Sequence, residues 1–426
     1  MISWTLASRC ALVAHLDAKA RTIGGLVCYR EVQMPRFSTP GVYIEEIPSG
    51  VRPIEAVSTS VLGIVGVTLA GTVSSATKVT SWQGFIDAFG RTDPGSFTAE
   101  AVWGFFHNGG SEAWVLKVPH PTVPVGVPEA GAHDPDAVLA RVLVEGIESL
   151  DGSSPVDVLI CPDMLMVHDD GLRGSVIEAM TRFAERHLRF AIVDLPAMGD
   201  DQELVDWRLK YATSTFAAGY APHVEIVHLD PGVPEPTRFV PPSGTVAGIY
   251  ARIDERRGVW KAPAGTATGL QGVVGLGETY TDTRQDLLNP NAVNVLREFS
   301  GRGVLVWGAR TLSSDPEWKY ISVRRLANMI ERSVVDDTQW VVFEPNDNPL
   351  WTSVRASVES FLMDLWTDGG LAGSKPDAAF FVKVGLGETM TPSDVSDGRL
   401  IITIGFATLK PAEFTVIHIT HRLSGD

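Results

Sequence analysis

The chain has 426 residues, more than one small core needs and enough for two or three domains. Hydrophobic residues make up 44% of it and charged residues 20%, ordinary globular values that argue against long disorder. The net charge of −16 argues against nucleic acid or an anionic membrane as the main partner, and no apolar run approaches the roughly 20 residues of a membrane helix.

Residues 1–33 do not have the pattern of a signal peptide. A signal peptide needs an unbroken apolar core, whereas Arg9, His15 and Asp17 interrupt this segment. We expect either a short extension or the consequence of a start codon assigned too early, with Met34 as the biological start.

Residues 34–50, MPRFSTPGVYIEEIPSG, contain a short strand-forming run, Val42-Tyr43-Ile44, with prolines on both sides. Proline lacks the N–H that a central strand needs, so this run is hard to place inside a sheet of its own domain. The pattern therefore raises the question of which sheet the strand is made for.

Strand and helix patterns alternate through the first half of the chain. Short apolar runs typical of strands buried on both faces cover 61–67, 113–118, 156–161 and 190–195, and helical patterns cover 81–90, 99–106 and 174–187. This order predicts an α/β domain with a mostly parallel sheet. The proline-rich segment 230–244 is predicted to connect that domain with the C-terminal part of the chain.

The last third is predicted to be α+β. Strands are expected at 304–307, 339–343, 380–384, 400–406 and 413–420. One helix is expected to start at a Ser322 cap, and a second to open at Pro349 and stop at Gly369-Gly370. The apolar faces of both helices are expected to pack in the core.

Motifs for nucleotide or metal chemistry are absent from the sequence. It has no GxxxxGK[ST] loop, no HExxH and no paired CxxC, so we expect no cofactor and no metal. Cys10, Cys28 and Cys161 show no redox spacing and are predicted to be reduced thiols of a cytoplasmic product.

One segment calls for comparison with a serine hydrolase. PPSGTVAGIYA, 241–251, is faintly similar to the nucleophile segment of subtilisin-like proteases, with Asp194 at a strand end as a candidate acid. The catalytic base would be a histidine, yet none stands in a matching context; those considered are His107, His120, His168, His187, His223 and His228. A small-residue turn that packs a helix on the sheet is favoured, and a histidine within hydrogen-bond reach of Ser243 would favour the hydrolase.

Longer blocks carry a more specific resemblance. They are VPPSGTVAGIYARIDERRGVWKAPAG at 240–265, residues 289–331, residues 338–362, PGVYIEE near the start, and GRLIITIGFATLKPAEFTVIHI at 398–419. From Pro35 to the C-terminus the chain resembles the tail sheath proteins of contractile phages and of phage-like contractile injection systems. Residues 1–33 have no counterpart in that family.

The resemblance implies a structural subunit and not an enzyme. Such subunits form rings of six that stack helically around an inner tube, between a baseplate and terminal cap proteins, and contract to drive the tube through a target envelope. Neither nucleic acid binding nor membrane insertion is implied. Production in the cytoplasm and incorporation into a phage tail or tail-like particle are implied; phage, injection system and tailocin remain open, as does release from the cell.

The family's fold implies a division of the chain into five parts. Residues 34–53 would be an N-terminal linker arm, 54–245 an outer α/β domain of subtilisin-like fold, and 246–410 an inner C-terminal sheath domain. Residues 411–426 would be a C-terminal arm, and 1–33 the extension described above.

The two arms are expected to add strands to the sheet of a neighbouring subunit, which explains the proline-bounded run near the start. The residues expected to pair are Val42, Tyr43, Ile44, Glu45 and Glu46 in the first arm and Phe414, Val416, Ile417 and Ile419 in the second. Hinges are expected at Gly41, Pro48, Gly50, Pro53, Lys410 and Pro411.

The polar face of the helix that starts near Ser322 carries Arg324, Arg325 and Arg332. A basic face of this kind is a candidate for contact with an acidic tube. The alternative is a solvated helix face whose charges are paired locally with Glu331. A monomeric binding module is a third general reading, against which the isolated strand at each end of the chain argues.

Overall fold

The structure is a computed structural model that describes residues 52–120, 134–150 and 154–409 in full, and residues 414–422 as backbone. The strands of this part are β1 Leu62–Gly66, β2 Ala76–Val79, β3 Ala113–Lys117, β4 Val158–Ile160, β5 Phe190–Asp194, β6 Ala217–Ala221, β7 Val224–Val227, β8 Thr237–Val240, β9 Val273–Leu276, β10 Val293–Phe299, β11 Gly303–Val306, β12 Phe380–Lys383, β13 Arg399–Ala407 and β14 Phe414–Arg422. The helices are α1 Trp82–Phe89, α2 Thr98–His107, α3 Pro135–Glu148, α4 Asp170–Arg186, α5 Asp201–Tyr211, α6 Ser243–Arg257, α7 Asp282–Leu288, α8 Ile321–Asp337, α9 Asn348–Thr367, α10 Pro376–Ala379 and α11 Pro392–Ser396.

An eight-stranded sheet with the order β11-β10-β6-β5-β4-β1-β3-β2 forms the larger part of the molecule. Its six inner strands are parallel, while β2 and β11 run antiparallel at the edges. Every residue of β1, β5 and β6 is buried, because helices cover both faces. Helices α3, α4 and α5 lie on one face, and α1, α2 and α6 on the other. The predicted mixed α/β fold with a mostly parallel sheet is confirmed.

The proline-rich segment 230–244 is not a simple connector. It contains β8, which pairs antiparallel with β7 in a small sheet of order β8-β7-β9, and it ends in the first turn of α6. The sequence did not indicate this edge strand, because the run Thr237–Val240 is short and flanked by prolines.

The predicted domain boundary at 245/246 falls inside α6, which spans Ser243–Arg257. Helix α6 packs tightly on α2, where a side chain at Gly244 would come within 2.2 Å of the carbonyl oxygen of Ala101. Strands β10 and β11, assigned to the inner domain from sequence, complete the large sheet. The first compact layer therefore extends to the end of these strands and their connection, near residue 312.

A second core lies between α8, α9 and the sheet β12-β13-β14. The apolar stripe of α9 is buried as predicted, at Val354, Val358 and Leu362. The helix begins as expected, because the Asp347 carboxylate accepts a hydrogen bond from the Leu350 N–H at 3.2 Å and Pro349 occupies the first turn.

Two local predictions in this core are wrong. Helix α8 begins after Tyr320 without a side-chain cap, so Ser322 lies inside its first turn. Residues 339–343 do not form a strand; Gln339–Val341 is a turn of 3₁₀ helix. Only residues 338–347 connect α8 with α9, which leaves too little chain to reach a sheet and return.

Candidate assembly surfaces

The crevice where parallel sheets of this kind bind ligands is closed by a carboxylate of the chain itself. In such a sheet the crevice lies where the strand order reverses, here beyond the carboxyl ends of β1 and β4. Asp163 occupies it, buried to 1% exposure. Its oxygens accept hydrogen bonds from the backbone N–H of Val67 at 2.7 Å and of Phe97 at 2.6 Å, and from the hydroxyl of Thr98 at 3.0 Å.

The start of α2 is thereby occupied from within the chain. A helix N-terminus with free N–H groups attracts anions, and the Asp163 carboxylate takes the position that a phosphate would otherwise occupy. The approach is close, since a side chain at Gly66 would come within 2.0 Å of the Thr98 hydroxyl oxygen. The crevice is therefore part of the packed core.

Ser243 and Asp194 are in contact, but their hydrogen bond caps the start of a helix and is not a catalytic one. Ser243 is the first residue of α6, and its backbone N–H donates to Asp194 Oδ1 at 2.7 Å. Both residues are buried, Ser243 to 0% and Asp194 to 1% exposure, which leaves the serine hydroxyl no path to a substrate. Burial raises the pKa of Asp194 to about 7 against the lowering effect of the hydrogen bonds from Ser243.

The three arginines of the predicted basic face point into the protein. The Arg325 guanidinium pairs with Asp254 at 2.6 Å, with side-chain exposures of 3% and 6%, and it also donates to the Thr59 carbonyl at 2.8 Å. Burial is the largest single effect and lowers the pKa of Arg325, but the charge of Asp254, its hydrogen bonds with Arg325 and the nearby Tyr250 and Asp157 together outweigh burial, so the pKa is raised. Arg332 pairs with the buried Asp157 at 2.8 Å.

Arg324 lies between two aromatic rings, 3.5 Å from the centroid of Trp318 and 4.3 Å from that of Phe216. Burial lowers its pKa to about 10, although Glu331, the predicted local partner, and other acids act in the opposite direction. The expectation of an exposed basic face is therefore wrong, because the helix uses this side to join the large sheet. The hypothesis that this helix face contacts the tube therefore has no exposed guanidinium groups to support it.

Residues 52–59 run along the second core and tie it to the first. The Arg52 N–H donates to Ser357 Oγ at 2.9 Å, the Val57 N–H donates to Ser333 Oγ at 3.0 Å, and the Thr59 hydroxyl donates to Asp254 at 2.7 Å. Sequence patterns did not indicate this path. Pro53, the one predicted hinge residue that the structure describes, lies within the anchored segment.

The predicted second arm pairs with its own chain. Strand β14 runs antiparallel to β13 over nine residue pairs, from Ala407↔Phe414 to Arg399↔Arg422, with Ile404↔Ile417 and Gly405↔Val416 between them. In the single chain, β14 is therefore not released from its domain. Gly41 to Gly50, with the Val42–Glu46 strand, and the hinge at Lys410-Pro411 lie outside the described residues.

The part of the chain that the structure describes contains no group of three or more His, Cys, Asp or Glu residues arranged to hold a metal ion. None of its helices is long and apolar enough to cross a membrane. The crevice filled by Asp163 and the buried hydroxyl of Ser243 do not fit the serine hydrolase considered from the sequence.

Comparisons with known proteins identify the family. The phage tail sheath protein central domain matches residues 138–312, and the phage tail sheath C-terminal domain matches residues 313–422. The chain belongs to the phage tail sheath family. The junction between the two matched domains, at 312/313, follows the last strand of the large sheet, which ends at Val306.

Full-length relatives include sheaths of contractile injection systems. The chain is 34% identical to the helical sheath of the anti-feeding prophage in the contracted state, covering 89% of this chain and 98% of that one with a TM-score of 0.65. It is 30% identical to a sheath protein of the extracellular contractile injection system PVC, also contracted, with 89% and 97% covered and a TM-score of 0.67. A prophage major tail sheath protein of Pseudomonas aeruginosa strain UCBPP-PA14 is 24% identical, with 88% and 94% covered.

Proposed function

We propose that this sheath protein stacks in rings of six around an inner tube, from a baseplate to a terminal cap, and shortens to drive the tube through a target envelope. The observation that carries this proposal is the 34% identity over 98% of a helical sheath in the contracted state. A chain in a structure of the anti-feeding prophage baseplate is 31% identical and 99% covered, which supports association with a baseplate.

The particle is proposed to be an extracellular injection system of the phage-tail type. Injection-system sheaths match 89% of the chain at 30% and 34% identity, whereas the prophage major tail sheath protein of Pseudomonas aeruginosa matches 88% of the chain at 24% identity. The subunit would be made in the cytoplasm and leave the cell within the assembled particle.

Subunits are proposed to be linked by exchanged strands. The nine-residue register between β13 and β14 is a complete antiparallel ladder, and the same hydrogen bonds can be made by the β14 of another copy. The strand Val42–Glu46 would add to a neighbour's sheet in the same way, with hinges between Gly41 and Pro53 and at Lys410-Pro411. A head-to-tail link that does not close generates an open helix, the symmetry of a sheath.

Energy for contraction is proposed to be stored during assembly. The extended packing would be metastable, held by the tube and baseplate, and the contracted packing lower in free energy. A gain of a few kcal/mol per subunit, summed over many rings, makes such a change irreversible. The proposal needs no cofactor and no hydrolytic step.

Negative-stain electron microscopy of the purified chain, and of a chain that starts at Met34, tests the proposal. We expect wide, striated, hollow tubes from both. Tubes from the full chain alone would show that residues 1–33 contribute to assembly. Monomers from both, at high concentration and with tube and baseplate proteins added, would contradict the proposed function.

A further inference from the structure

The turn between α8 and α9 presents one aromatic side chain almost fully to solvent. Phe343 is 83% exposed, the most exposed of the large apolar side chains in the described part of the chain. Its φ of 77° lies in the left-handed region, which favours glycine and is strained for a bulky residue. Strain and exposure at the same residue indicate a functional contact more than chance.

The turn is held in place by its surroundings. The Glu344 N–H donates to the Val341 carbonyl at 3.1 Å, and Asn346 Nδ2 donates to the Arg399 carbonyl at 3.0 Å. Trp351 Nε1 in turn donates to Asn346 Oδ1 at 2.8 Å. A partner therefore meets an aromatic side chain that is already positioned, which lowers the entropy lost on binding.

A cavity of about 360 Å³ lies at the other end of α8. Its lining is largely apolar and includes Trp260, Lys261, Tyr320, Val323, Leu326 and Leu409. Leu409 is 55% exposed, so the apolar lining continues to the surface. Lys261 contributes a positive charge to the lining. We call this cavity the Trp260 socket.

Phe343 is too far from the Trp260 socket of its own chain to insert into it. Helix α8 has 17 residues, about 25 Å at about 1.5 Å per residue, and it separates the socket at its start from Phe343 beyond its end. Two different surfaces of one chain that fit each other link copies head to tail, either within a ring or along an open helix.

We propose that Phe343 of one subunit inserts into the Trp260 socket of the next, with Glu344 facing Lys261 on the rim. The inference rests on the proposed function, since it assigns a contact between sheath subunits. Charge favours a second copy as the occupant: the exposed Glu344 and Asp347 follow Phe343 in the turn, and Lys261, the one charged residue among those lining the socket, is basic in a chain of net charge −16. Buried aromatic side chains in pockets commonly dominate the energy of such interfaces.

Photocrosslinking tests the contact directly. The full chain is prepared with p-benzoylphenylalanine at position 343, assembled as an equal mixture of ¹⁵N-labelled and unlabelled subunits, and irradiated. We expect crosslinks between labelled and unlabelled chains at residues 259–263, 320–326 or 408–409. Crosslinks within one chain, or to other surfaces of the second copy, would overturn the proposal.

Substitution provides a second, quantitative test. Phe343→Ala is expected to raise the concentration needed for half-assembly about 30-fold or more, as loss of a main interface residue does. Leu209→Ala, which shortens another exposed apolar side chain (52% exposed), is expected to change it by no more than about twofold. Glu344→Lys should weaken assembly, and adding Lys261→Glu to it should restore part of the loss.

The outcomes separate the inference from the function it rests on. If the wild-type chain forms tubes and Phe343→Ala forms them at the same concentration, the inference fails and the proposed function stands. If the wild-type chain forms no tubes with its tube and baseplate proteins present, both fail. Circular dichroism of each variant establishes that it is folded, and Phe343→Trp is expected to retain assembly.

Discussion

Asp194 and Ser243 illustrate how burial changes what a residue does. The same two residue types are required in a serine hydrolase, where the hydroxyl must face a substrate and a base. Here Ser243 starts a helix inside the core, and the carboxylate of Asp194 accepts its N–H at 2.7 Å. The carboxyl group of Asp194 therefore accepts the hydrogen bond of an N–H that has no partner within the helix, at the cost of burying a polar group.

The raised pKa of Asp194 predicts a pH dependence of stability. The folded chain keeps the proton up to about pH 7, while the unfolded chain loses it near 3.8. The contribution of this bound proton to the free energy of unfolding is fully present below pH 3.8. It is lost as the pH rises to about 7, a change of roughly 4 kcal/mol.

Asp194→Asn removes that titration and should flatten the dependence of the unfolding free energy on pH between 4 and 8 by roughly this amount. Urea unfolding at several pH values checks it, with Asp230→Asn on the surface as the control. An unchanged slope in Asp194→Asn would show that the carboxyl group is ionised throughout.

Ser243→Ala is expected to change neither tube assembly nor any hydrolytic activity of the protein. The hydroxyl faces no substrate, and the backbone N–H that contacts Asp194 is retained in alanine. Tube formation and peptidase activity of the purified variant check the expectation. A peptidase activity present in the wild type and lost in this variant would bring back the hydrolase hypothesis.

Strands at the chain ends matter at the scale of elements. The pairing of β14 with β13 uses nine residue pairs, whereas β12 contributes only four to the other side of β13. Losing β14 therefore exposes a long strand edge, which another chain can cover or which leads to aggregation. The strand that fills this edge decides whether the chain remains single or is linked to a neighbour.

Removal of residues 34–46 is predicted to give a folded monomer that does not polymerise. The second core is closed by residues from 52 onward, such as Ile54 at 9% exposure, so its folding does not need the deleted strand. Circular dichroism and electron microscopy check the two parts. Normal tubes from the deletion would contradict the role assigned to the first arm, and removal of residues 1–33 alone is the matched control.

At the scale of the whole molecule, buried ion pairs join the two cores. Arg325 on α8 reaches Asp254 on α6, and Arg332 reaches Asp157 next to β4. Burying an unpaired charge costs free energy, so sliding the two cores past each other would be unfavourable. The ion pairs therefore favour movement of the two cores as one body. Under the proposed function, a subunit that moves as one body would pass a rotation at its linkers on to its neighbours.

Arg325→Met is predicted to lower the unfolding free energy by about 3 kcal/mol or more, because it leaves the Asp254 carboxylate buried without its cation. The double variant Arg325→Met with Asp254→Leu should lose less than Arg325→Met alone, since no unpaired charge remains. Urea unfolding checks both. A larger loss in the double variant would mean that the pair acts by shape and not by charge.

Much of the fold follows from local patterns. The strand at 62–66 and the helices from Trp82 and Asn348 were predictable, because side-chain periodicity and starting residues such as Ser81 and Asp347 act within a few positions. Family membership followed from long blocks of sequence, and it carried the structural role with it.

Other features depended on contacts between distant residues. Nothing near Arg325 in sequence indicates Asp254, 71 positions away, so a helix face that was expected to be solvated became an interface. Asp163 closes the ligand crevice only because the sheet order brings the ends of β1 and β4 together. Phe343 was expected in a strand, and the short connection between two packed helices turned it out to solvent.

The sequence by itself determined the α/β alternation, the helices α1, α2, α4, α8 and α9 and the family of the chain, because these depend on the order and spacing of residues along it. Only the tertiary structure decided which charges are buried, where the two cores join and which aromatic side chain faces outward. These depend on which distant segments meet, and burial in the low-dielectric interior makes the choice between a paired and an unpaired charge worth several kcal/mol.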